Sequence, residues 1–245
     1  MMIDDLADTA LASQIHTVFS RHTWRGGSDY YYEGVFLWLE ADGIIRQQTQ
    51  GKKSLQDFCR AFFGGDDGKS IVKPYSFNDV MKSLEEIAPY DWPSFFAKRL
   101  NSTEPHAPLA GLEAAGWRLI YSDALPETLK GRGGIDMSYS FGCWLSKDGN
   151  IGDVLPRSSA AKAGLHGGMR IVAVNGRRFS EDSLRQALKA SAKEKAKLDL
   201  LIENGDEFKT YSLDYYGGEK YPNVERIGDR ADVLAQIIKP ACDKK

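Results

Sequence analysis

Apolar residues in the first hundred positions recur at the three- and four-residue spacing of amphipathic helices. The spacing predicts a helix over residues 3 to about 20, and a second helix that has Ser28 or Asp29 as its N-cap and ends at Gly51. The apolar positions are Ile3, Leu6, Ala10, Leu11, Ile15, Val18 and Phe19 in the first helix, and Tyr31, Val35, Leu39 and Ile45 in the second.

Capping signals predict three further helices in the same half of the chain. Ser54 is followed three residues later by Asp57, and Ser76 by Asp79, which is the spacing of a capping box. Pro93 fits the first turn of the run "WPSFFAKRL". The first hundred residues are therefore predicted to be entirely helical, with one continuous apolar face on each helix.

The periodicity changes after this half. The run "LEAAGWRLIYSD" is predicted to be a short strand, and "LKGRGGID" a linker or loop. Short alternating segments with tight turns and one helix, "SEDSLRQALKAS", then predict a small β-rich module. The predicted fold class is therefore multidomain. The chain is expected to have an all-α helical bundle over 1–122, a small β-rich α+β domain over 123–216, and a tail with a short helix over 217–245.

Composition and charge exclude several classes of protein. The formal net charge is −2 over 245 residues, which gives no electrostatic reason to expect nucleic acid or an anionic membrane as partner. No apolar run approaches the roughly 20 residues of a membrane span. The acidic N-terminus is unlike a signal peptide and resembles a helix interior, so we expect a chain cut from a longer one. The compartment is left open.

The residues that usually carry chemistry do not form a recognisable site. The four histidines lack metal-ligand spacing, and no H-E-x-x-H or G-x-S-x-G occurs, so no metal site is predicted in this chain. Cys59, Cys143 and Cys242 are widely spaced without a CxxC pair, which favours a protein that is reduced or merely poor in cysteine. Cys143 lies in a predicted strand, where a small buried residue is expected.

The segment "SSAAKAGLHGGMRIVAVNGRRF" (158–179) resembles the PDZ domain in its length, its order and its turn chemistry. An Ala-Gly-Leu turn, a glycine pair, an aliphatic strand and Asn175-Gly176 follow one another as in that family. Ser159 stands where proline is usual, and Met169 where aspartate is usual. The resemblance implies a domain that binds an extended peptide as an added strand, with the peptide carboxylate resting on backbone amides of a glycine-containing loop.

The resemblance also assigns the residues of that peptide groove. The loop is Ser140, Phe141, Gly142 and Cys143, and the other wall is the helix over 181–191, with Glu181, Leu184, Arg185 and Leu188 as candidates. Gly142 permits the backbone turn. An empty groove in a module that only supports its neighbour is an equally weighted alternative.

Three motifs are spread over nearly the whole chain, namely Asp-Tyr-Tyr-x-Glu-Gly at 29–34, Gly-Lys-Lys-Ser-Leu-x-Asp-Phe at 51–58 and Tyr-Pro-x-x-Glu-Arg at 221–226. With these as its most specific parts, nearly the whole chain resembles the glycyl aminopeptidase family of zinc metallopeptidases, relatives of the thermolysin-like gluzincins. The resemblance makes the helical half the C-terminal part of a thermolysin-like catalytic domain. One departure is Glu33, which stands where related aminopeptidases often have lysine.

The resemblance implies that the zinc ligands, H-E-x-x-H and a later glutamate, lie upstream of this segment. Zinc is therefore expected in the full-length parent and not in this chain. A tyrosine three residues before a glycine donates a hydrogen bond to the developing oxyanion in related enzymes, and counting back from Gly34 gives Tyr31. Tyr30 and Tyr32 are assigned to packing or to the rim of the site.

The expected function is that of the C-terminal portion of an aminopeptidase that removes small N-terminal residues such as glycine or alanine. The chain alone is expected to be inactive. Its expected partners are peptide substrates or peptide C-termini, and the upstream catalytic segment of the same protein. Two alternatives stay open, namely a non-enzymatic PDZ-type peptide-binding adaptor and a purely structural pair of domains.

Overall fold

The computed structural model describes residues 30–65, 72–102, 107–131 and 133–239, and for residues 30–32 the backbone alone. The chain divides into two compact units. One contains residues up to Arg118 together with Glu225–Lys245, and the other is Leu119–Val224. The end of the chain thus belongs to the same unit as the N-terminal helices, and each unit is described by itself below. The predicted helix over 3–20 lies outside the described residues.

The first unit is helical, and the predicted caps are present. Ser54 N–H donates to the Asp57 carboxylate at 2.8 Å, and Ser76 N–H to the Asp79 carboxylate at 2.7 Å, so both capping boxes are confirmed. Pro93 lies in the first turn of its helix. The helices are α1 (Tyr30–Gln48), α2 (Leu55–Phe63), α3 (Phe77–Ile87), α4 (Trp92–Leu100) and α5 (Ala110–Ala114), with one more near the end of the chain, Val233–Ile238.

Helix α1 buries a different face from the one predicted. Ile45 is fully buried as expected, and its companions in the core are Leu37 and Ala41. Val35 is 63% exposed and Leu39 is half-buried, so these two lie on another face. Helix α1 therefore carries apolar residues on two faces, and one of them is buried in this unit. The core is completed by residues of α2, α3 and α4, chiefly Phe58, Met81, Leu84, Trp92, Phe95 and Phe96.

The Tyr-Pro-x-x-Glu-Arg tail anchors the end of the chain to the helical unit. The Arg226 guanidinium donates to the Gly116 carbonyl at 2.9 Å and to the Arg230 carbonyl at 2.7 Å, and it lies 5.7 Å from the Trp117 ring. Glu225 pairs with Arg118, and the Trp117 indole donates to Asp232 at 2.9 Å. The two charged residues of this motif therefore have structural partners.

The second unit contains most of the strands. The run "LEAAGWRLIYSD", predicted to be a strand, is instead α5 followed by β1 (Trp117–Ser122), because Gly116 has a φ of +85° and ends the helix. The predicted linker "LKGRGGID" contains the start of β2 (Ile135–Met137). The remaining strands are β3 (Cys143–Leu145), β4 (Ile151–Val154), β5 (Arg170–Val174), β6 (Arg177–Arg178), β7 (Leu198–Asn204), β8 (Glu207–Leu213) and β9 (Tyr221–Arg226).

These strands form a three-stranded sheet in the order β2-β3-β4, a four-stranded sheet in the order β6-β5-β7-β8, and the pair β1-β9. Two helices complete the unit, α6 (Ser159–Ala163) and α7 (Glu181–Glu194), and α7 packs against β5 and β7. The helix Val233–Ile238 is α8. One apolar core contains the inward residues of both larger sheets together with Leu184 and Leu188 of α7.

Glycine contacts in the helical unit give a stability prediction. A Cβ on Gly111 of α5 would lie 2.5 Å from the Glu40 backbone nitrogen of α1, so we expect Gly111→Ala to destabilise the unit by about 1–3 kcal/mol through overpacking. At Gly228, no described atom lies within 4 Å of such a Cβ, and Gly228→Ala is expected to change stability by less than about 1 kcal/mol. Urea unfolding measures both, and equal midpoints for the two variants would contradict the close packing of α5 on α1.

Candidate functional site

Tyr31 lies in the first turn of α1 by its backbone. Its side chain lies outside the described part of the structure, so its role as a hydrogen-bond donor to an oxyanion stays a prediction. Glu33 is in the same turn and is half-buried. A carboxylate near a helix N-terminus is favourable because it faces the positive end of the helix dipole. The helix dipole therefore gives a local reason for glutamate at position 33, where related aminopeptidases often have lysine.

A wide apolar groove of about 1200 Å³ opens in the helical unit. Val35, Trp38 and Leu39 of α1 form one side. Val35 is exposed, whereas the Trp38 ring also stacks on Phe58 of the core at 5.7 Å. Several aromatic and aliphatic side chains of the groove are exposed, including Phe63 at 68% and Ile238 at 73%. The remaining apolar lining is Leu55, Phe58, Phe62, Tyr75, Phe77, Val80, Phe96, Leu234 and Ile237.

Two of the polar residues in this groove, Asp42 and Arg46, are engaged in structural contacts. Asp42 is only 4% exposed. Its carboxylate accepts from the Leu55 backbone N–H at 2.7 Å and from Arg46 Nε at 2.6 Å. It thus joins α1 to the first residue of α2 and neutralises a basic neighbour. Asp42 is therefore a structural carboxylate, and most of the groove lining is apolar.

A metal centre is not evident in the described ranges. No group of three or more His, Cys, Asp or Glu side chains among these residues is arranged to hold a metal ion. Likewise, within those ranges no helix has both the length and the apolarity to span a bilayer.

The loop that the PDZ resemblance assigns to a peptide carboxylate is a compact turn between β2 and β3. Phe141 and Cys143 are fully buried in the core of this unit. Gly142 has a φ of +99°, and a Cβ there would lie 2.1 Å from the Ser158 side chain, so glycine is required both for the turn and for the approach of α6. Burial raises the pKa of the Cys143 thiol to about 12, with a smaller contribution from Asp153. Cys143 is thus a packing residue, as its predicted strand position indicated.

Strand β3 is paired along both of its edges. Cys143 and Leu145 lie opposite Met137 and Ile135 of β2, and β3 also pairs antiparallel with β4. The Met137 carbonyl accepts from the Ser140 and Gly142 N–H groups at 3.0 and 2.9 Å. The loop and strand that would receive a peptide are therefore already bonded to the chain itself.

The candidate residues on α7 divide into two groups. Leu184 and Leu188 are fully buried, because that face of the helix packs on β5 and β7. Glu181 is exposed, Arg185 is half-buried, and the two pair with each other at 2.7 Å. The structure thus places the two leucines in the core and leaves the two charged residues outside it.

Sequence reasoning missed the partners of Arg185. Its guanidinium pairs with Glu219 and donates to the Tyr221 hydroxyl at 3.1 Å. Desolvation lowers the pKa of Arg185, but its hydrogen bonds to Glu181 and Tyr221 and the charge of Glu219 raise this pKa above its ordinary value. The signal available in the sequence was Tyr221, the first residue of the Tyr-Pro-x-x-Glu-Arg motif. The structure places Tyr221, but not the two charged residues of that motif, beside α7.

The burial of Tyr221 gives a pH prediction. Desolvation raises the pKa of its phenol from 10.0 to about 12, with opposing contributions from Arg185, which lowers it, and Glu219, which raises it. Between these values the unfolded chain loses the proton while the folded chain keeps it, so stability falls as pH rises from about 10 to about 12. Thermal melting of the wild type and Tyr221→Phe across this range measures the effect. Equal slopes in the two proteins would contradict it.

Comparison with known proteins identifies one domain and one fold. Residues 129–203 match the sequence model of the PDZ domain, so this part of the chain is a PDZ domain. A comparison with curated protein sequences finds no match. The HtrA3 PDZ domain bound to a phage-derived ligand aligns over 45% of this chain and 91% of that domain, at 20% identity and a TM-score of 0.24.

The chain is also similar to an aminopeptidase N family protein from Idiomarina loihiensis, at 18% identity and a TM-score of 0.52. The similarity covers 86% of this chain and 36% of that protein, so the chain spans about a third of the length of its structural neighbour. Neither compact unit alone accounts for 86% of the chain. The likeness therefore extends over parts of both units, and it shows a shared fold over those parts.

Proposed function

We propose that this chain is the C-terminal portion of a zinc aminopeptidase of the glycyl aminopeptidase family, whose parent protein removes small N-terminal residues such as glycine or alanine. The observation that carries the proposal is the fold likeness to an aminopeptidase N family protein over 86% of the chain. The motifs at 29–34, 51–58 and 221–226 support the narrower assignment through the resemblance that they carry.

The apolar groove of the helical unit supports the proposal that an upstream part of the catalytic domain packs against this chain. Helix α1 presents apolar residues on a second face that the described residues leave open, and exposed aromatic side chains from α2 and the residues around α3 continue it. Contiguous exposed apolar surface of this kind marks an interaction site. We assign it to the upstream part of the catalytic domain of the same protein, which would bury Val35 and Phe63.

We assign the zinc of the proposed enzyme to that upstream part, because the family resemblance places H-E-x-x-H and the later glutamate there. The groove itself is lined mainly by hydrocarbon and aromatic surface, which does not fit a cation. When bound in the parent, zinc would polarise the substrate carbonyl and activate water. The contribution of this chain is a surface that completes the fold and a phenol at the start of α1.

The proposed role of Tyr31 is to donate a hydrogen bond. A phenol has an ordinary pKa near ~10, so it is a neutral donor at working pH. The first turn of a helix fixes the position of its backbone. Such a donor stabilises negative charge that develops only in the transition state, so its loss lowers kcat more than it changes KM.

The adaptor alternative has weaker support. An adaptor that captures peptides by strand addition needs an open strand edge beside the carboxylate loop. Both edges of β3 are paired within the domain. Strand β2 ends that three-stranded sheet, so the unpaired sheet edge nearest the loop belongs to β2 and not to β3, the strand that the PDZ resemblance assigns to the peptide.

Cys59 provides a direct test of the groove. It lines the groove and is exposed, whereas Cys143 is buried. With Cys242 replaced by serine, we expect iodoacetamide to modify Cys59 rapidly in this chain and at least about tenfold more slowly in the protein extended by its upstream codons. Cys59→Ser is the matched control for the site of modification. Equal rates in the two lengths of protein would contradict burial of the groove by the upstream part.

Tyr31→Phe in the extended protein tests the catalytic assignment. We expect kcat on a glycyl anilide to fall about 10²–10³-fold with little change in KM, because one oxyanion donor is lost. Tyr32→Phe, one residue along, is the control and is expected to keep near wild-type turnover. If Tyr31→Phe folds normally and keeps wild-type turnover, the proposed role of Tyr31 is wrong.

A further inference from the structure

The PDZ domain of this protein has its expected peptide edge filled by its own chain. Strand β3 is three residues long, Cys143–Leu145, and all three residues have partners in β2. The opposite edge of β3 is occupied by β4. Because a strand has two edges, a peptide strand could pair with β3 only after β2 had left it.

Strand β2 has the features of a bound peptide. It runs antiparallel to β3 and ends beside the glycine loop, and its alternate residues Ile135 and Met137 are both buried in the core. The Met137 carbonyl accepts from Ser140 N–H at 3.0 Å and Gly142 N–H at 2.9 Å. A carbonyl oxygen of the chain thus receives amide hydrogen bonds from the loop that would otherwise hold a carboxylate.

The Trp144 side chain packs beside the start of β2 on the outer face of the sheet. A Cβ added to Gly134 would lie 2.4 Å from the Trp144 ring, and a Cβ added to Gly152 would lie 2.5 Å from the same ring. Gly134 immediately precedes β2, and Gly152 belongs to β4. The indole therefore covers the flanks of both neighbours of β3, and the two glycines make room for it.

A second segment of the chain bonds to both walls assigned to the groove. Lys220 N–H donates to Ser140 Oγ at 3.1 Å, and the Tyr215 ring lies 6.3 Å from the Phe141 ring. On the helix side, Ser191 Oγ donates to the Tyr215 carbonyl at 2.7 Å, and Arg185 pairs with Glu219. Residues 215–221, here called the strap, thereby connect the loop to α7.

We propose that β2 and the strap are intramolecular ligands of this PDZ domain, and that the domain is closed to free peptide C-termini. The partner of its groove is the protein's own chain, in the segments 135–137 and 215–221. This inference is independent of the proposed aminopeptidase function, because it concerns the contacts of residues 119–224 alone.

A peptide titration of the whole chain, followed by amide NMR, tests closure. The probes are pentapeptides that end in valine, leucine or phenylalanine with a free carboxylate, and their C-terminal amides as controls. We expect no saturable shift at residues 140–145 up to about 1 mM peptide. Saturable shifts there with a free carboxylate, absent with the amide, would overturn the proposal.

Hydrogen exchange tests the internal contacts without any peptide. We expect slow exchange of the Ser140, Gly142 and Lys220 amides, because each donates a hydrogen bond to the chain. In Ser140→Ala, the Lys220 amide should exchange about five- to tenfold faster, which is the effect of one ordinary hydrogen bond, while the Gly142 amide stays slow.

Ser138→Ala, in the same loop, is the matched control and should leave the Lys220 amide unchanged. Fast exchange at Ser140 and Gly142 in the wild type would mean that β2 is not held in place, and would refute the proposal even without peptide binding. A parent protein without aminopeptidase activity would not affect either result.

Discussion

The helical unit is governed by the two apolar faces of α1. One face, with Leu37, Ala41 and Ile45, is buried against α2, α3 and α4. The other, with Val35, Trp38 and Leu39, forms a wall of the groove. A helix that is apolar on more than one side is stable only where more than one side is covered. Asp42 keeps α1 and α2 in the spacing that forms the groove, because its carboxylate bonds to the first amide of α2. The groove thus follows from the composition of α1.

The sequence predicted the positions of the helices in the first unit better than it predicted which of their faces are buried. Capping boxes at Ser54 and Ser76 depend on neighbours three residues away, so local sequence was sufficient. The buried face of α1 was assigned to the wrong residues, because periodicity identifies apolar faces but does not say which one meets the core. The groove itself depends on α8, which is distant in sequence and contributes Leu234 and Ile237.

The PDZ domain was recognisable from 158–179, since its turns and its aliphatic strand are local features. Its groove was not predictable in the same way. Strand β2 lies in a glycine-rich stretch that carries little strand signal, and Gly134 is needed because the Trp144 ring passes over it. Leu184 and Leu188 were placed on the correct helix, but their burial depends on β5 and β7. The pairing of Arg185 with Glu219 joins positions whose contact no local pattern reveals.

A strand tethered to its own binding site has a large advantage over a free peptide. Strand β2 and β3 are joined by five residues, 138–142, so β2 is present at an effective concentration that a dissolved peptide does not reach. A competing peptide would regain similar backbone hydrogen bonds but would also lose translational and rotational freedom, at a cost of at least about 4 kcal/mol. It would also displace Ile135 and Met137, whose burial is worth about 1.5–3 kcal/mol each. Self-occupation by a tethered strand therefore gives β2 the advantage over a dissolved peptide at the edge of β3.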